Sequence, residues 1–365
     1  MKILYLTNIP SPYRVAYFNE LGKYCELTVL FETSYSTERD KSWKNYQFDH
    51  FTGIIMKGVR TSRDTAFCPF VVKYLKKEIY DCIILTVLSS PTGLLAAAWL
   101  RRFQIPYCYE GDGGIAKNTR GLKASLKRFI ISYADICFST TNDFDRYCLT
   151  YGALKEKIRR YPFTSIYEKD ILPQIVRKDE KCVIKEHLEI EEERIVLSVG
   201  RVIPLKGYDV LLKAFGGIKS NWGLYIIGGE VNEELRDIII KKGIEHVHFV
   251  KFKQAEELKQ YYMAADIFVL STRSDTWGLV INEAMSCGLP VITTYSCGAG
   301  TEMVRQGENG FLYEAEDVES LGRHMKELME SEEIRRRMGE KSLSIVRNYT
   351  IEKMAEVHLA ILGNG

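Results

Sequence analysis

The stretch Arg194-Ile195-Val196-Leu197-Ser198-Val199-Gly200-Arg201-Val202-Ile203-Pro204-Leu205-Lys206-Gly207-Tyr208-Asp209 decides the fold. A short apolar run ends at Gly200, a loop with two cations follows, and a helical pattern opens at Gly207. An apolar run of that length, bounded by turn residues, reads as a strand covered on both faces, as in a parallel sheet. Strand, loop and helix make one βα unit. Gly200 lets the backbone turn, and Arg201 and Lys206 converge where the N–H groups of a helix start lack partners, which outlines a polyphosphate site. Taken alone, the motif is also compatible with an exposed basic loop.

The same alternation extends in both directions. Downstream, strands are expected at 223–227, 247–250, 267–270 and 290–293 with helices between them, and after Asp317 only helical patterns remain. Upstream, strands at 2–7, 26–31, 82–85, 107–109 and 136–139 alternate with helices at 13–23, 69–79, 93–103, 123–133 and 143–151. The period lapses between Pro162 and Glu193, where charge is dense. The expected architecture is α/β: two Rossmann-like domains, 1–170 and 194–348, joined by a linker at 171–193, with a ligand cleft between them. A helix over 349–365 is expected to pack back on the first domain.

Composition limits the function. With 365 residues, 46% hydrophobic and 27% charged, the chain is globular, and a net charge of +2 gives no reason to expect nucleic acid. Residues 1–170 hold 25 Lys and Arg against 17 Asp and Glu, so the first domain is the basic one. Nine cysteines without a C-x-x-C pair imply reduced thiols and no zinc framework. The apolar run at 3–6 is too short for a signal peptide, so a cytoplasmic location is expected. The uncharged run at 82–100 is broken by Ser89, Ser90, Pro91 and Gly93 and reads as strand, turn and helix rather than a membrane span.

A second motif runs from Ser274 to Ile292. Asp275 lies in a loop and Glu283, eight residues on, lies in the following helix. The N–H groups of Gly278, Leu279 and Val280 would open that helix and could hold an anion, and Glu283 could accept paired hydroxyls. The alternative makes Asp275 a helix cap and Glu283 a solvated helix residue.

Together the two motifs resemble the C-terminal domain of family 4 glycosyltransferases, retaining GT-B enzymes that use nucleotide-sugar donors. The resemblance covers 194–315 and continues through Gly288-Leu289-Pro290-Val291 and Gly307-Glu308-Asn309-Gly310-Phe311-Leu312. It implies that Arg201 and Lys206 neutralise the donor diphosphate beside Gly200. Glu283 would bind the ribose, Asp275 would face the transferred sugar, and Trp277 would sit in the donor loop with Gly278, Leu279 and Val280. Phe252 and Lys253 would flank the base. The family pattern has glutamate where this chain has Asp275. In the first domain, Asn8-Ile9-Pro10-Ser11-Pro12-Tyr13-Arg14 stands where many members carry a glycine-rich loop, a form that resembles bacterial surface-polysaccharide members.

Acceptor contact is expected at Glu110-Gly111-Asp112-Gly113-Gly114, with Asp112 first, Glu110 second, and Arg14 supplying charge. A polar turn is the competing reading. Many members place a histidine there, whereas the first domain holds only His50. The cations Lys117, Arg120, Lys123, Lys127 and Arg128 share a helical pattern with Leu122, Leu126, Phe129 and Ile130. Such a helix suits an anionic membrane surface or is an ordinary amphipathic helix.

The expected activity is transfer of a sugar from a nucleoside diphosphate to a saccharide or lipid-linked acceptor in cell-surface polysaccharide or glycolipid synthesis. No cofactor or metal is expected, since Asp143-Phe144-Asp145 reads as a helix start. A nucleotide-sugar epimerase or hydrolase and a non-catalytic nucleotide-sugar binding protein are the competitors. A dehydrogenase is disfavoured by the absence of G-x-G-x-x-G after the first strand.

Overall fold

Apolar runs become parallel strands in both halves of the chain. The computed structural model describes residues 1–36, 46–87, 90–115 and 120–363. Two units divide the chain: Met1–Ser165 with the stretch from Thr350 onward, and Ile166–Tyr349.

The first unit contains β1 (Lys2–Thr7), β2 (Glu26–Phe31), β3 (Thr52–Ile55), a hairpin of β4 (Val59–Arg60) and β5 (Ala66–Phe67), β6 (Cys82–Leu85), β7 (Cys108–Glu110), β8 (Ile136–Ser139) and β9 (Ile158–Arg160). Apart from the hairpin these form one parallel sheet ordered β3-β2-β1-β6-β7-β8-β9. Helices α1 (Pro12–Leu21), α2 (Pro91–Arg102), α3 (Leu122–Ile131) and α4 (Asn142–Thr150) connect them. Side-chain caps start two of these helices: the Ser90 hydroxyl accepts from the Gly93 N–H at 2.9 Å, and Thr141 accepts from Phe144 at 3.0 Å. Leu4, Leu6, Leu30, Ile83 and Leu85 fill the core beneath α2 and α3.

The second unit begins with α5 (Lys178–His187), followed by β10 (Ile195–Val199), α6 (Tyr208–Phe215), β11 (Gly223–Ile227), α7 (Glu233–Lys242), β12 (Val247–Val250), α8 (Ala255–Ala264) and β13 (Ile267–Leu270). It continues through α9 (Leu279–Ser286), β14 (Val291–Thr294), α10 (Gly298–Met303), β15 (Gly310–Tyr313), α11 (Val318–Glu330) and α12 (Glu332–Val346). Its parallel sheet is ordered β12-β11-β10-β13-β14-β15. Chain direction across this sheet reverses between β10 and β13, so the loops after those two strands flank the topological switch point. Those loops are 200–207 and 271–278.

Two expectations change, the linker and the helix at 69–79. Residues 171–193 are not a free linker but part of the second unit, where the Lys181 ammonium on α5 reaches Asp266 at 2.8 Å. Charge hid the helix because its lysines are spent on internal ion pairs. The helix expected at 69–79 is a single 3-10 turn, Pro69–Lys73, since Val71 and Val72 are β-branched and poorly suited to helix. The final helix, α13 (Ile351–Gly363), is part of the first unit, with the His358 and Tyr17 rings 5.2 Å apart.

Candidate active site

The loop after β10 is held by the loop after β13. Consecutive residues Ser271, Thr272 and Arg273 take up its carbonyls: the Ser271 hydroxyl donates to Lys206 O at 3.0 Å and that of Thr272 to Leu205 O at 3.0 Å. Arg273 donates from its guanidinium to Pro204 O and from its backbone N–H to Leu205 O at 2.8 Å. The guanidinium is steadied in turn by Asp209 at 2.9 Å and by Glu316. Gly207 makes this approach possible. Its φ is +64°, and a Cβ there would lie 2.1 Å from Ser271 O.

This clasp brings Lys206 and Asp275 together, with Nζ 2.6 Å from Oδ2 and side chains 17% and 21% exposed. Arg201 lies on the exposed side of the same loop, and Gly200 accepts from the Tyr208 hydroxyl at 3.0 Å. Asp275 does not cap α9, because the cap position is Gly278, at φ +95° and with no side-chain cap bond. Leu279 and Val280, half-buried, open the helix, and helix geometry leaves their N–H groups without intrahelical acceptors. Glu283, one turn further on, accepts from the Tyr262 hydroxyl at 2.8 Å. Burial first and the Glu283 carboxylate second push the Tyr262 phenol well up, so it stays the donor.

Not every expected donor residue faces outward. Trp277 is 2% exposed, its indole N–H donates to Asn282 Oδ1 at 2.8 Å, and its ring packs toward Tyr349. It packs behind the loop, a consequence of an apolar ring finding a buried amide partner. Phe252 is 49% exposed after β12, and Lys253 pairs with Glu257.

In the first unit, the end of β7 carries a buried ionic network. Arg14 on α1 bridges Glu110 and Asp112. The Tyr5 hydroxyl on β1 donates to Glu110 Oε2 at 2.9 Å and accepts from Tyr17 at 3.0 Å. Burial alone would raise Glu110, but the Arg14 guanidinium, with His358, outweighs it and holds the carboxyl at about 2. Asp112 moves the other way: desolvation, with the neighbouring Glu110 charge, raises it from its ordinary value against the pull of Arg14. Gly113 follows it in half-exposed chain. Sequence reading missed His358, because only the return of α13 brings a histidine to Glu110. The Ser271–Arg273 clasp, by contrast, had a local signal in three consecutive polar residues directly after a strand.

The basic segment divides. Lys117 lies outside the described residues, Leu122 is 77% exposed and Lys123 is exposed, whereas the Lys127 ammonium sits 4.9 Å from the Tyr147 and Tyr151 ring centres. Lys127 is therefore turned toward the protein. Asp143 and Asp145 stand in the first turn of α4, paired with Arg146 and Arg160 at 3.1 and 3.0 Å. No three His, Cys, Asp or Glu side chains converge as a metal site among the described residues, and no helix there is long and apolar enough to cross a membrane.

Residues 180–344, which contain this second-unit site, match the family model of glycosyl transferases group 1. That region, a little under half of the chain, is similar to the group 1 glycosyl transferases. An uncharacterized glycosyltransferase of Haemophilus influenzae is 32% identical over 177 residues, 47% of this chain and 49% of that protein. The lipopolysaccharide core biosynthesis glycosyltransferase LpsE of Rhizobium meliloti is 27% identical over 173 residues, 47% of this chain and 50% of that protein. The matches thus span about half the length of these relatives. The crystal structure of Anabaena Alr3699/HepE in complex with UDP superposes over 100% of both chains with a TM-score of 0.80 at 18% identity. That likeness extends over both units and establishes the GT-B class of two Rossmann-like α/β units.

Proposed function

We propose that the protein is a retaining glycosyltransferase that moves a sugar from a nucleoside diphosphate to an acceptor hydroxyl. The observation that carries this is the Lys206–Asp275 pair, a cation and a carboxylate in contact at the sheet's switch point beside the start of α9. A diphosphate there takes its charge compensation from Lys206, Arg201 and the N–H groups of Gly278, Leu279 and Val280. Displacing Lys206 toward phosphate leaves the Asp275 carboxylate to accept from a sugar hydroxyl, and Glu283 to accept from the ribose.

As the anomeric bond breaks, negative charge grows on the leaving diphosphate. Arg201 and Lys206 stabilise that charge more than the ground state, which is the differential binding that lowers a barrier. In a retaining reaction the departing phosphate oxygen takes the acceptor proton on the same face. No metal is assigned a part in this scheme. The first unit handles the acceptor, with Asp112 accepting from one of its non-reacting hydroxyls, and a saccharide or lipid-linked acceptor of surface-polysaccharide synthesis fits the likeness to LpsE. Leu122 and Lys123 on α3 are proposed to touch an anionic membrane surface at the inner face of the cell membrane.

A thermal-shift panel of nucleoside diphosphates and their sugars tests the reading, beginning with the uridine series because the HepE structure holds UDP. A ligand at ~100 times its Kd adds ~2.7 kcal/mol to the folded state. Stabilisation by one nucleotide series, lost in Lys206→Ala, is expected. Indifference to every nucleotide at millimolar concentration would sink the proposal.

A further inference from the structure

The ionic network of the first unit reaches the C-terminal helix. His358 on α13 is fully buried, and its Nδ1 donates back to Met354 O at 2.8 Å, a carbonyl that can only accept. That bond, with the ring stacked on Phe138 at 4.6 Å and 17°, fixes the imidazole plane. Nε2 then faces Glu110 Oε2 at 3.3 Å, an ion-pair distance without hydrogen-bond alignment, and carries a proton toward that carboxylate only as the imidazolium. The Tyr17 ring of α1 and the Tyr161 ring following β9 close the remaining sides, at 5.2 and 4.6 Å. From Glu110 the chain of contacts runs through the Arg14 guanidinium to Asp112.

The exposures are graded along this chain. The side chains of His358 and Glu110 are 0% exposed, that of Arg14 is 6% exposed, and that of Asp112 is 28% exposed. Buried ionic networks are costly compared with apolar packing of the same volume, and losing one member leaves the others uncompensated. A network with one end at the surface ties the geometry of that end to its buried anchor.

We propose that His358 is a positioning residue: through Glu110 it fixes the Arg14 guanidinium and thereby the orientation and charge of the Asp112 carboxylate. Glu110 Oε2 is shared between His358 and Tyr5, and Oε1 takes Arg14. With Nε2 gone, Glu110 draws harder on the guanidinium, and Asp112 loses part of its support from Arg14. The C-terminal helix thus sets the properties of a carboxylate at the far end of the sequence. The link to catalysis rests on the acceptor role given to Asp112 above, but the positioning itself does not.

The experiment follows the carboxyl carbon of Asp112 by NMR in protein labelled at aspartate, the signal being assigned by its loss in Asp112→Asn. His358→Phe keeps a stacked ring and drops both nitrogens, and His358→Leu is a second nitrogen-free variant should the first fail to fold. Both are expected to raise the Asp112 titration midpoint by about one pH unit, tenfold in proton affinity, as its ionised form loses support. His358→Gln, which restores an N–H donor toward Glu110, is expected to return most of that shift. An unchanged midpoint in a folded nitrogen-free variant overturns the proposal. Kinetics add a separate arm: His358→Phe should cost about tenfold in acceptor kcat/KM at unchanged donor KM, and nothing further in an Asp112→Asn background. Equal losses in both backgrounds would mark His358 as merely structural. Should Asp112→Asn itself leave transfer intact, the acceptor reading fails, while the midpoints still decide the positioning.

Discussion

Replacing Asp275 by asparagine separates two jobs that the structure gives one ion pair. Lys206 Nζ lies 2.6 Å from Asp275 Oδ2, and both side chains are about four-fifths buried. A hydrogen bond to a charged group in such a setting is worth ~1.5–3 kcal/mol. A diphosphate must share the ammonium or draw it away. Asparagine keeps an acceptor oxygen and loses the charge, so about half of that cost vanishes. At ~1.4 kcal/mol per decade, affinity for the bare nucleoside diphosphate should rise ~3–10-fold. Turnover with the nucleotide sugar should fall by ~10–100-fold, because the carboxylate that accepts from the sugar is gone. Calorimetric titration of the diphosphate and initial rates with the sugar donor give the two numbers on one variant. Unchanged or weaker diphosphate binding would refute the competition drawn here.

Other expectations concern stability and surface. Glu32, at the end of β2 and 1% exposed, accepts from the Ser90 hydroxyl and, at 3.0 Å, from the Ala66 N–H. Burial raises its carboxyl from 4.5 to about 7, so its stabilising contribution is complete below pH 4.5 and is lost as pH rises through 7. Thermal melts across that window should show a decline of a few kcal/mol that Glu32→Gln abolishes, and parallel pH profiles would disprove the assignment. Arg14→Leu strands Glu110 in the core and should destabilise by ~3–5 kcal/mol in urea unfolding, with Glu110→Gln recovering much of it; a loss under 1 kcal/mol would mean the network is weakly held. Lys123→Ala should weaken binding to anionic vesicles by ~1 kcal/mol, whereas Lys127→Ala, whose cation rests on two tyrosines, should lower stability more than vesicle binding. Equal effects of the two on vesicles would contradict their different settings.

Legibility followed burial. Ile195–Val199 and Ile267–Leu270 are buried throughout, so unbroken apolar runs marked the central strands of the second sheet. One edge strand, β12, still shows as an apolar run, whereas β9 does not: it is Ile158-Arg159-Arg160, and cations at a sheet edge interrupt the apolar pattern. The two local motifs of the proposed donor site were visible in the sequence, but not the contact of Lys206 with Asp275, which are 69 positions apart. The burial of Trp277 could not be read from its motif, because an exposed aromatic in such a loop and one whose N–H goes to Asn282 look alike in sequence. His358 could not be found at all from local pattern. Its partner Glu110 lies on another element, and the return of α13 is a property of the topology.

The central claim is that Lys206 and Arg201 stabilise a leaving nucleoside diphosphate during transfer to a saccharide hydroxyl. Its most direct measurement is release of the nucleoside diphosphate from its sugar, with and without a saccharide acceptor, by the wild-type protein, Lys206→Ala and Arg201→Ala. Release that depends on acceptor, slowed by ~10²–10³-fold in each variant while its melting profile is kept, is the result expected for loss of one preorganised donor. Rapid release without acceptor would point to a hydrolase, and near-normal release by both folded variants would contradict the assignment of the diphosphate to this loop.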